Sequence, residues 1–396
     1  MTYARSTCHS THQPHPSVID EVVQTLAEHG FDGMAQAMEL LFNECMKIER
    51  QQALGVGPYQ RGEARRGQAN GFKKRGLKTR VGQLQLAVPQ VRGAKFYPRA
   101  LERGSRSEKA LRLALAEMYV QGVSTAKVTK ITEELCGCEI SSSDVSRATA
   151  LLDEDLHKWR TRPLGQVKYL ILDARYEKVR HGGSIVDCAV FTAIGIDPEG
   201  RRSVLGVSVS LSEAEVHWRE FFKSLLERGL HGVELITSDA HAGLKEARQA
   251  CFSGVPWQRC QFHLMHNALA HVPRADMKRE VIDDLRSVFD SADGEAATAQ
   301  LARVVRKYQK AAPQLAAWME ENVPESLTVF RLLPAHRKRL RTTNMDERLN
   351  RELKRRTRVA RLFPNEASLL RLVTAVLMEV SEEWETGKRY VTFETK

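Results

Sequence analysis

Three acidic residues have the type and setting that metal-dependent phosphodiester chemistry needs. Asp173 follows the apolar run "YLIL", Asp239 follows "VELITS", and Glu347 lies beside Asp346 in the basic segment "RTTNMDERLNRELKRRTR". A hard divalent ion such as Mg²⁺ takes oxygen ligands, and two ions about 3.5–4 Å apart can activate an attacking oxygen and stabilise a leaving one. Each Asp alone is also typical of an ordinary strand end, because Asp favours turns.

The basic segment around Glu347 has the period of a helix. Steps of four, three and four positions place Glu347, Arg351, Lys354 and Arg358 on one face, where the cations could follow a phosphate backbone. Asp346 lies about 100° away on the same helix. The alternative for this segment is a solvated helix with Glu–Arg pairs and no catalytic role.

The sequence around the two aspartates predicts a mixed β-sheet with helices on its faces. Strand-like runs occupy 168–176, 184–197, 202–210 and 232–241, with an amphipathic helix before the fourth run and another after it. The resulting order, β-β-β-α-β-α, favours sequential pairing of three strands and then a crossover. From 256 to 341 the pattern is helical except for the short run "VPWQRC", and 344–386 is helical again.

The N-terminal part combines helices with a basic stretch. Residues 17–54 have helical periodicity, "GPYQRGEARRGQANGFKKRGLKTR" is typical of a basic loop, and "VGQLQLAVPQVR" of one or two short strands. The net charge of +11 favours an acidic partner, most often nucleic acid. The basic stretch is therefore predicted to contact a nucleic-acid backbone through Arg65, Arg66, Lys73, Lys74 and Arg75.

Residues 107–160 predict three helices. The first stops at Gly122, the second has Ser124 as N-cap and Gly137 as its stop, and the third begins at a cap on Ser142 or Ser143. The second and third helices, with Arg147 on the third, are similar to a DNA-binding helix-turn-helix. An ordinary three-helix packing unit is the alternative.

Composition restricts the class of protein. A chain of 396 residues predicts two or three domains, and it contains no run of about 18 apolar residues that would indicate a membrane span. The N-terminus lacks the apolar core of a signal peptide. The seven cysteines form no regular framework and are typical of reduced thiols. We expect a cytoplasmic protein with no membrane partner.

Several longer motifs carry a family resemblance, and the likeness as a whole extends from about residue 35 to 390. In chain order they are "LDARYEKVR", "AIGIDPEGRRSVLGVSVS", "WREFFKSLLERGL", "TSDAHAGLKEA", "WQRCQFHLMHN", "TTNMDERLNRELKRRTRV" and "FPNEASLLRLV". On these motifs the sequence resembles the bacterial insertion-sequence transposases of the Mutator-like family. That family would place the protein in the bacterial cytoplasm, associated with the nucleoid.

The resemblance implies a ribonuclease-H-like catalytic domain with a DDE triad. By motif position the triad, which would also bind the metal, maps to Asp173, Asp239 and Glu347. The choice of Glu347 over Asp346 depends on the Arg-x-Asn pattern that follows, here 348–350. The implied cofactor is Mg²⁺, with Mn²⁺ as a substitute and two ions expected when DNA is bound. The 108 positions between the second and third acids (347 minus 239) imply an inserted helical domain.

The "CQFH" motif contributes Cys260 and His263, which the resemblance places beside the acidic site. Taken alone, Cys-x2-His with His266 nearby could indicate zinc, with Cys251 and His271 as further candidates for ligands.

The resemblance also implies partners. They are double-stranded DNA, as terminal inverted repeats and as target, and further copies of the chain in a homodimer or higher homo-oligomer that joins two element ends. The resemblance also suggests a copying route through a circular intermediate. The residues predicted to contact DNA beyond the N-terminal stretch are Arg147, Arg351, Lys354, Arg355 and Arg358.

We therefore predict a multidomain α+β protein in five parts. Residues 1–105 form a mostly helical, basic region for dimerisation and DNA binding, and 106–162 a helix-turn-helix-like domain. Residues 163–256 and 341–396 form the catalytic domain, with the helical insertion at 257–340. The predicted function is a DNA transposase that binds its terminal inverted repeats and catalyses metal-dependent strand cleavage and strand transfer.

Three alternatives remain open at this stage. The first is a nuclease or resolvase of the same fold that only hydrolyses DNA. The second is a non-catalytic DNA-binding regulator, although such a protein is expected to have lost one of the acids. The third is a basic protein held by protein partners, in which the acids are structural.

Overall fold

The structure, a computed structural model, describes residues 17–57, 60, 62, 65–358 and 362–393, without the side chains of 344–348. The described chain divides into two compact units. The first holds the residues up to 119 together with 123–151, and the second holds 120–122 and the residues from 152 onward. The predicted boundaries at 105/106 and 162/163 stay predictions, and the observed division at 151/152 lies inside the predicted helical domain.

The first unit mixes helices with one β-hairpin. Its elements in chain order are α1 (Val18–His29), α2 (Met34–Leu54), β1 (Gln68–Thr79), β2 (Gly82–Arg92), α3 (Lys109–Val120), α4 (Thr125–Cys136) and α5 (Ser142–Thr149). The helical periodicity of 17–54 is confirmed, with a 3₁₀ turn at Gly30–Gly33 between α1 and α2.

The prediction of a basic loop was wrong for the second half of that stretch, because Gln68–Thr79 forms strand β1. β1 pairs antiparallel with β2 from Gln68↔Arg92 to Thr79↔Gly82. Alternate β2 side chains, Leu84 and Leu86, are buried in a cluster with Met46 of α2. β1 itself is exposed over most of its length, so it carries no apolar alternation that would identify it. β2 is one long strand, and its burial holds the hairpin in place.

Of the helices after the hairpin, α4 starts and ends as predicted, whereas the third helix differs at both ends. Ser124 caps α4 and Gly137, with φ of 58°, ends it, as predicted. The third helix starts at a different cap, Ser141, which forms a capping box with Asp144. It is also shorter than predicted, since a 3₁₀ turn at Ala150–Leu152 separates α5 from the next helix.

The second unit is built on a five-stranded mixed sheet of order β5-β4-β3-β6-β7. Its elements up to the last strand are α6 (Asp153–Thr161), β3 (Tyr169–His181), β4 (Ser184–Ile196), β5 (Arg202–Ser210), α7 (Glu215–Glu227), β6 (Leu235–Ser238), α8 (Ala242–Cys251) and β7 (Trp257–Arg259). The predicted order of strands and helices is confirmed. β7 pairs in parallel with β6, so the sheet continues past the predicted boundary at residue 257.

β3 is longer than the sequence predicts, and Asp173 therefore lies inside a strand and not at its end. Antiparallel pairing with β4 continues to His181↔Ser184. The turn uses Gly182 and Gly183, both at positive φ, which a two-residue hairpin needs. The pleat of β3 separates two faces: Leu170 and Leu172 pack with α7 and α8, while Asp173 and alternate residues after it point to the opposite face.

After β7 the chain is helical. The elements are α9 (Gln261–Ala268), α10 (Lys278–Phe289), α11 (Gly294–Tyr308), α12 (Pro313–Asn322), α13 (Pro334–Leu340), α14 (Asn344–Thr357) and α15 (Glu366–Thr386). Buried residues from Leu264 to Val323 form a cluster of their own. The helical pattern predicted for 344–386 is interrupted at Phe363 and Pro364, after which Asn365 caps α15. Among the described residues, no helix has the length and apolarity to cross a membrane.

Candidate active site

Two neighbouring parallel strands bring Asp173 and Asp239 together. The parallel pairing of β3 and β6 ends at Ile171↔Thr237. Asp173 and Asp239 each lie two residues beyond that pair, so the register brings them to corresponding positions on two neighbouring segments. The charge of Asp239 raises the pKa of Asp173, as expected for carboxylates that share one space.

Helix α14 is bonded to the same face of β3. Asn350 Nδ2 donates to Asp173 Oδ2 over 2.7 Å, and Arg175 Nη1 donates to the Asn350 carbonyl over 2.9 Å. Further along, Thr357 Oγ1 donates to Glu177 Oε1 over 2.8 Å. Three alternate residues of β3 therefore contact two residues of α14 that lie two helical turns apart. These bonds fix the position of α14 along the strand.

Glu347 lies in the first turn of α14, three residues before Asn350. Its side chain and that of Asp346 lie outside the described part of the chain. At about 100° per residue, Asn350 is about 60° around the helix from Glu347 and about 40° from Asp346. Both angles are small, so helix geometry does not decide between the two acids, and the choice of Glu347 stays a prediction.

Asp173 is buried, with 8% of its surface exposed. Burial raises the pKa of Asp173 above its ordinary value, and Asp239 raises it further, while the Asn350 bond and the nearby His263 act in the opposite direction. Two carboxylates in this setting are costly to keep ionised without a cation. The donor set and its charge therefore suit a hard divalent ion.

Cys260 and His263 lie at the start of α9, beside the acids. The thiol of Cys260 contacts the imidazole of His263, and this contact, together with the charges of Asp239 and Asp173, raises the pKa of His263 to about 9 despite partial burial. His263 Nδ1 is buried with no hydrogen-bond partner among the described residues. A protonated His263 would place a positive charge next to the carboxylates.

No group of three His, Cys, Asp or Glu side chains with metal-binding geometry occurs within the described residues. The described acids supply Asp173 and Asp239, and the third predicted ligand, Glu347, belongs to the turn without described side chains. Cys251 is half-buried and has no disulfide, and Cys260 is likewise a free thiol.

The exposed side of α14 carries the predicted cations. Arg351, Lys354 and Arg358 are exposed, and we refer to them as the α14 cation face. Together with Arg355 they line a cavity of about 580 Å³ between α14 and α15. Arg355 is also exposed but forms a bidentate pair with Glu352. The cation face is therefore the part of α14 available to a polyanion.

The predicted N-terminal cations differ in their surroundings. Lys73 and Lys74 of β1 are exposed, as are Arg65 and Arg66 just before it. Arg75 instead donates to the hydroxyl of Tyr97 and to the Glu102 and Ser105 carbonyls, so its guanidinium is engaged within the protein. The guanidinium of Arg147 donates to Asp144 over 2.5 Å while staying largely exposed.

Two residues that contact the site, Asn350 and Thr343, were not predicted from the sequence. Asn350 was noted only as part of a pattern, although its position three residues after Glu347 predicts a shared side of the helix. Thr343, which bonds Cys260, has no sequence signal beyond its place before a helix start. Their roles depend on contacts between residues about 83 and 177 positions apart.

A mixed sheet with adjacent carboxylates, next to a helix with an exposed cationic face, is the arrangement of an enzyme that acts on a polyanion. A family model described as Transposase, Mutator family matches residues 15–387. The chain therefore belongs to the Mutator family of transposases, and it is a DNA transposase.

Known transposases are similar over nearly the whole chain. The transposase for insertion sequence element IS406 of Burkholderia multivorans is 54% identical, covering 95% of this chain and 97% of that protein. The transposase for ISRM5 of Rhizobium meliloti is 44% identical, covering 92% and 91%. The transposase for IS256 in transposon Tn4001 of Staphylococcus aureus is 37% identical, covering 96% and 99%. DNA is accordingly the partner, and DNA cleavage or transfer is the class of activity.

Proposed function

We propose that Asp173, Asp239 and Glu347 form the DDE triad of a ribonuclease-H-like domain and hold two Mg²⁺ ions, which Mn²⁺ can replace, when DNA is bound. The observation that carries the proposal is the register of β3 and β6, which sets Asp173 beside Asp239. The Asn350 bond supports it, because it brings the helix of Glu347 to the same carboxylate. The intervening helices, with their own buried cluster, would be an insertion in that domain.

The metal ions, when bound, supply Lewis-acid activation of the attacking oxygen and charge stabilisation of the leaving oxygen. The protein's own groups do the rest. The three carboxylates bind and orient the metal, and the α14 cation face holds phosphates of the DNA backbone. His263, with its raised pKa, adds positive charge beside the acids, where the scissile phosphate is brought in.

The reaction has two stages in this proposal. The first hydrolyses a phosphodiester at the element end and leaves a 3′-hydroxyl. In the second, that hydroxyl attacks a target phosphodiester, so one P–O bond forms as another breaks and no further cofactor is needed. Two element ends must be joined, and this requirement favours a homodimer or larger assembly.

The N-terminal region would recognise the terminal inverted repeats. Support comes from the exposed cations of β1 and from the short α4–α5 pair, whose turn and caps are compatible with a helix-turn-helix. Phosphate contacts from the hairpin would position the DNA, while base contacts would have to come from side chains of the helices.

The test compares four variants on a DNA substrate that carries one element end and a separate target duplex. Asp173→Asn, Asp239→Asn and Glu347→Gln should each abolish both cleavage and joining in Mg²⁺ while end binding persists. Asp346→Asn is the matched control on the same helical turn and should keep most activity. An active Glu347→Gln beside an inactive Asp346→Asn would reassign the third ligand. Cleavage without any joined product by the wild type would instead favour a hydrolase.

A further inference from the structure

The inference concerns how the third acid is held, and it rests on the proposed function of Glu347. α14 begins at Asn344. The segment just before it, residues 340–343, forms hydrogen bonds to β6 and at the start of α9. Thr237 Oγ1, in β6, donates to the Leu340 carbonyl over 2.8 Å. The backbone N–H of Gln261, in α9, donates to the Arg341 carbonyl over 3.0 Å. The approach to the helix is therefore bonded to the strand that precedes Asp239 and to the helix that follows β7.

The third contact of this segment is made by the Cys260 thiol. The backbone N–H of Thr343 points to Cys260 Sγ at 3.3 Å, and the Thr343 hydroxyl lies 3.4 Å from the same sulfur. Both residues are buried. Thr343 is the N-cap residue of α14 and makes no side-chain cap bond within its own helix, and Cys260 is the N-cap residue of α9. One thiol thus joins the first turns of two helices that the chain separates by 83 positions.

The second anchor of α14 is Asn350. Its amide donates to Asp173, and its carbonyl accepts from Arg175, so both ends of the residue are bonded to β3. A carboxylate at position 350 would repel Asp173. An apolar side chain there would leave the buried Asp173 Oδ2 without the hydrogen bond that Asn350 donates. A side-chain amide donates to the acid without adding charge.

We propose that Cys260, Thr343 and Asn350 are positioning residues that hold the turn carrying Glu347 against Asp173 and Asp239. Thr343 lies four residues before Glu347 and Asn350 three residues after it, so the anchors bracket the acid over about 10 Å of helix. The Cys-x-x-His motif then has a role that needs no zinc. Cys260 fixes the helix of the third acid, and His263 faces the first two acids.

If Asn350 positions the metal-binding acid, its loss should change the Mg²⁺ dependence of cleavage even in a variant that still folds. Asn350→Ala should raise the Mg²⁺ concentration for half-maximal cleavage about 10-fold or more, because groups that orient metal ligands typically contribute 10–100-fold. Mn²⁺ binding without DNA, followed by electron paramagnetic resonance of the full chain, should weaken in parallel. Asn350→Leu preserves the side-chain volume and is the second variant if Asn350→Ala fails to fold. It should show the same increase in the Mg²⁺ concentration for half-maximal cleavage.

The hydroxyl of Thr343 offers a separate test with a conservative rescue. Thr343→Val keeps the size and the backbone N–H but removes the hydroxyl, and should slow cleavage about 10-fold at saturating Mg²⁺. Thr343→Ser keeps the hydroxyl and should retain the wild-type rate. Asn267→Ala, at an exposed position of α9, and Thr298→Val, at an exposed position of α11, are the matched controls and should change neither rate nor metal dependence.

The outcomes separate this inference from the proposed function. Inactive Asp173→Asn and Glu347→Gln variants, together with wild-type Mg²⁺ dependence in folded Asn350→Ala and wild-type rates in Thr343→Val, would overturn the positioning role alone. Normal cleavage by Asp173→Asn would overturn the proposed function itself. If Thr343→Ser is as slow as Thr343→Val, or if the loss of activity follows the melting temperature in every variant, the contacts serve folding and the inference is wrong.

Discussion

Arg356 is a buried cation of α14, and its removal should lower the stability of the second unit. It is 4% exposed and lies between two carboxylates. Its Nε donates to Glu352 over 2.7 Å, and its two terminal nitrogens donate to Glu379 of α15 over 2.6 and 2.8 Å. A further bond of 3.3 Å reaches the Val120 carbonyl. Arg356→Met keeps most of the side-chain volume and removes every one of these donors.

The expected cost follows from what the substitution leaves behind. Removing one partner of a buried ion pair costs about 3–5 kcal/mol when the remaining charge stays buried. Here the side chains of Glu352 and Glu379 are 29% and 47% exposed, and Glu352 keeps its pair with Arg355. Water can therefore recover part of the loss, and we expect about 2–3 kcal/mol. In a unit of this size that lowers the melting temperature by about 4–12 °C.

The assay is thermal unfolding of the full chain followed by circular dichroism, with cleavage measured at 25 °C. Arg355→Met is the matched control, since Arg355 is the exposed neighbour of Arg356 and pairs with Glu352 at the surface, where ion pairs contribute little to stability. Cleavage by Arg356→Met should fall as well, because α14 loses its bonds to α15 and holds Asn350 less firmly. Equal melting temperatures for Arg356→Met and the wild type, or an equal loss in Arg355→Met, would refute the reasoning.

Three further predictions concern charge. Replacing the three residues of the α14 cation face by Gln should flatten the slope of log affinity against log salt by about 2–3 units on duplex DNA. Binding should weaken equally on specific and random sequences. An unchanged slope and an unchanged cleavage rate would show that the face is only a solvated surface. Replacing Lys73 and Lys74 by Gln should lower the slope by about 1.8 units, whereas Arg75→Gln should chiefly lower the melting temperature, because its donors are engaged by the protein. Burial acts to raise the pKa of Asp144, but bonds from Ser141, Arg147 and Lys78 outweigh it and hold that pKa below its ordinary value. The stability that ionised Asp144 contributes is therefore fully present above about pH 4 and is lost as pH falls through the lower pKa of the folded state. Asp144→Asn should accordingly reduce the loss of stability in acid, measured as melting temperature across a pH series.

The sheet of the second unit could be predicted because its strands are buried on both faces and give continuous apolar runs. Asp239 directly follows β6, as the sequence indicates. Asp173 does not end its strand, since β3 continues through polar residues that gain their strand partners from β4. β1 was missed for a related reason: its pairing comes from β2, and its own side chains face solvent.

The site could be predicted only as a set of residue types. The acids could be proposed because carboxylates directly after apolar runs, or among cations, are unusual within a sequence. The groups that fix them, Asn350, Thr343 and Arg175, are common residue types whose partners are distant along the chain. Arg75 was predicted to contact DNA because it lies in a basic run. The sequence gives no sign that its guanidinium already donates to carbonyls of the protein.

The distance along the chain between Asp173 and Asn350, 177 positions, also sets an order of events during synthesis. A ribosome that adds about 5–20 residues each second needs about 10–35 s to go from one to the other. Through that interval the nascent chain carries the residues of the first unit but not Asn350. If the first unit binds the element ends as proposed above, a product that ends early, through a damaged message or a premature stop codon, would occupy those ends without the complete set of groups proposed to cut them. Such fragments would then compete with complete enzyme for the same ends and restrain the spread of the element that encodes them.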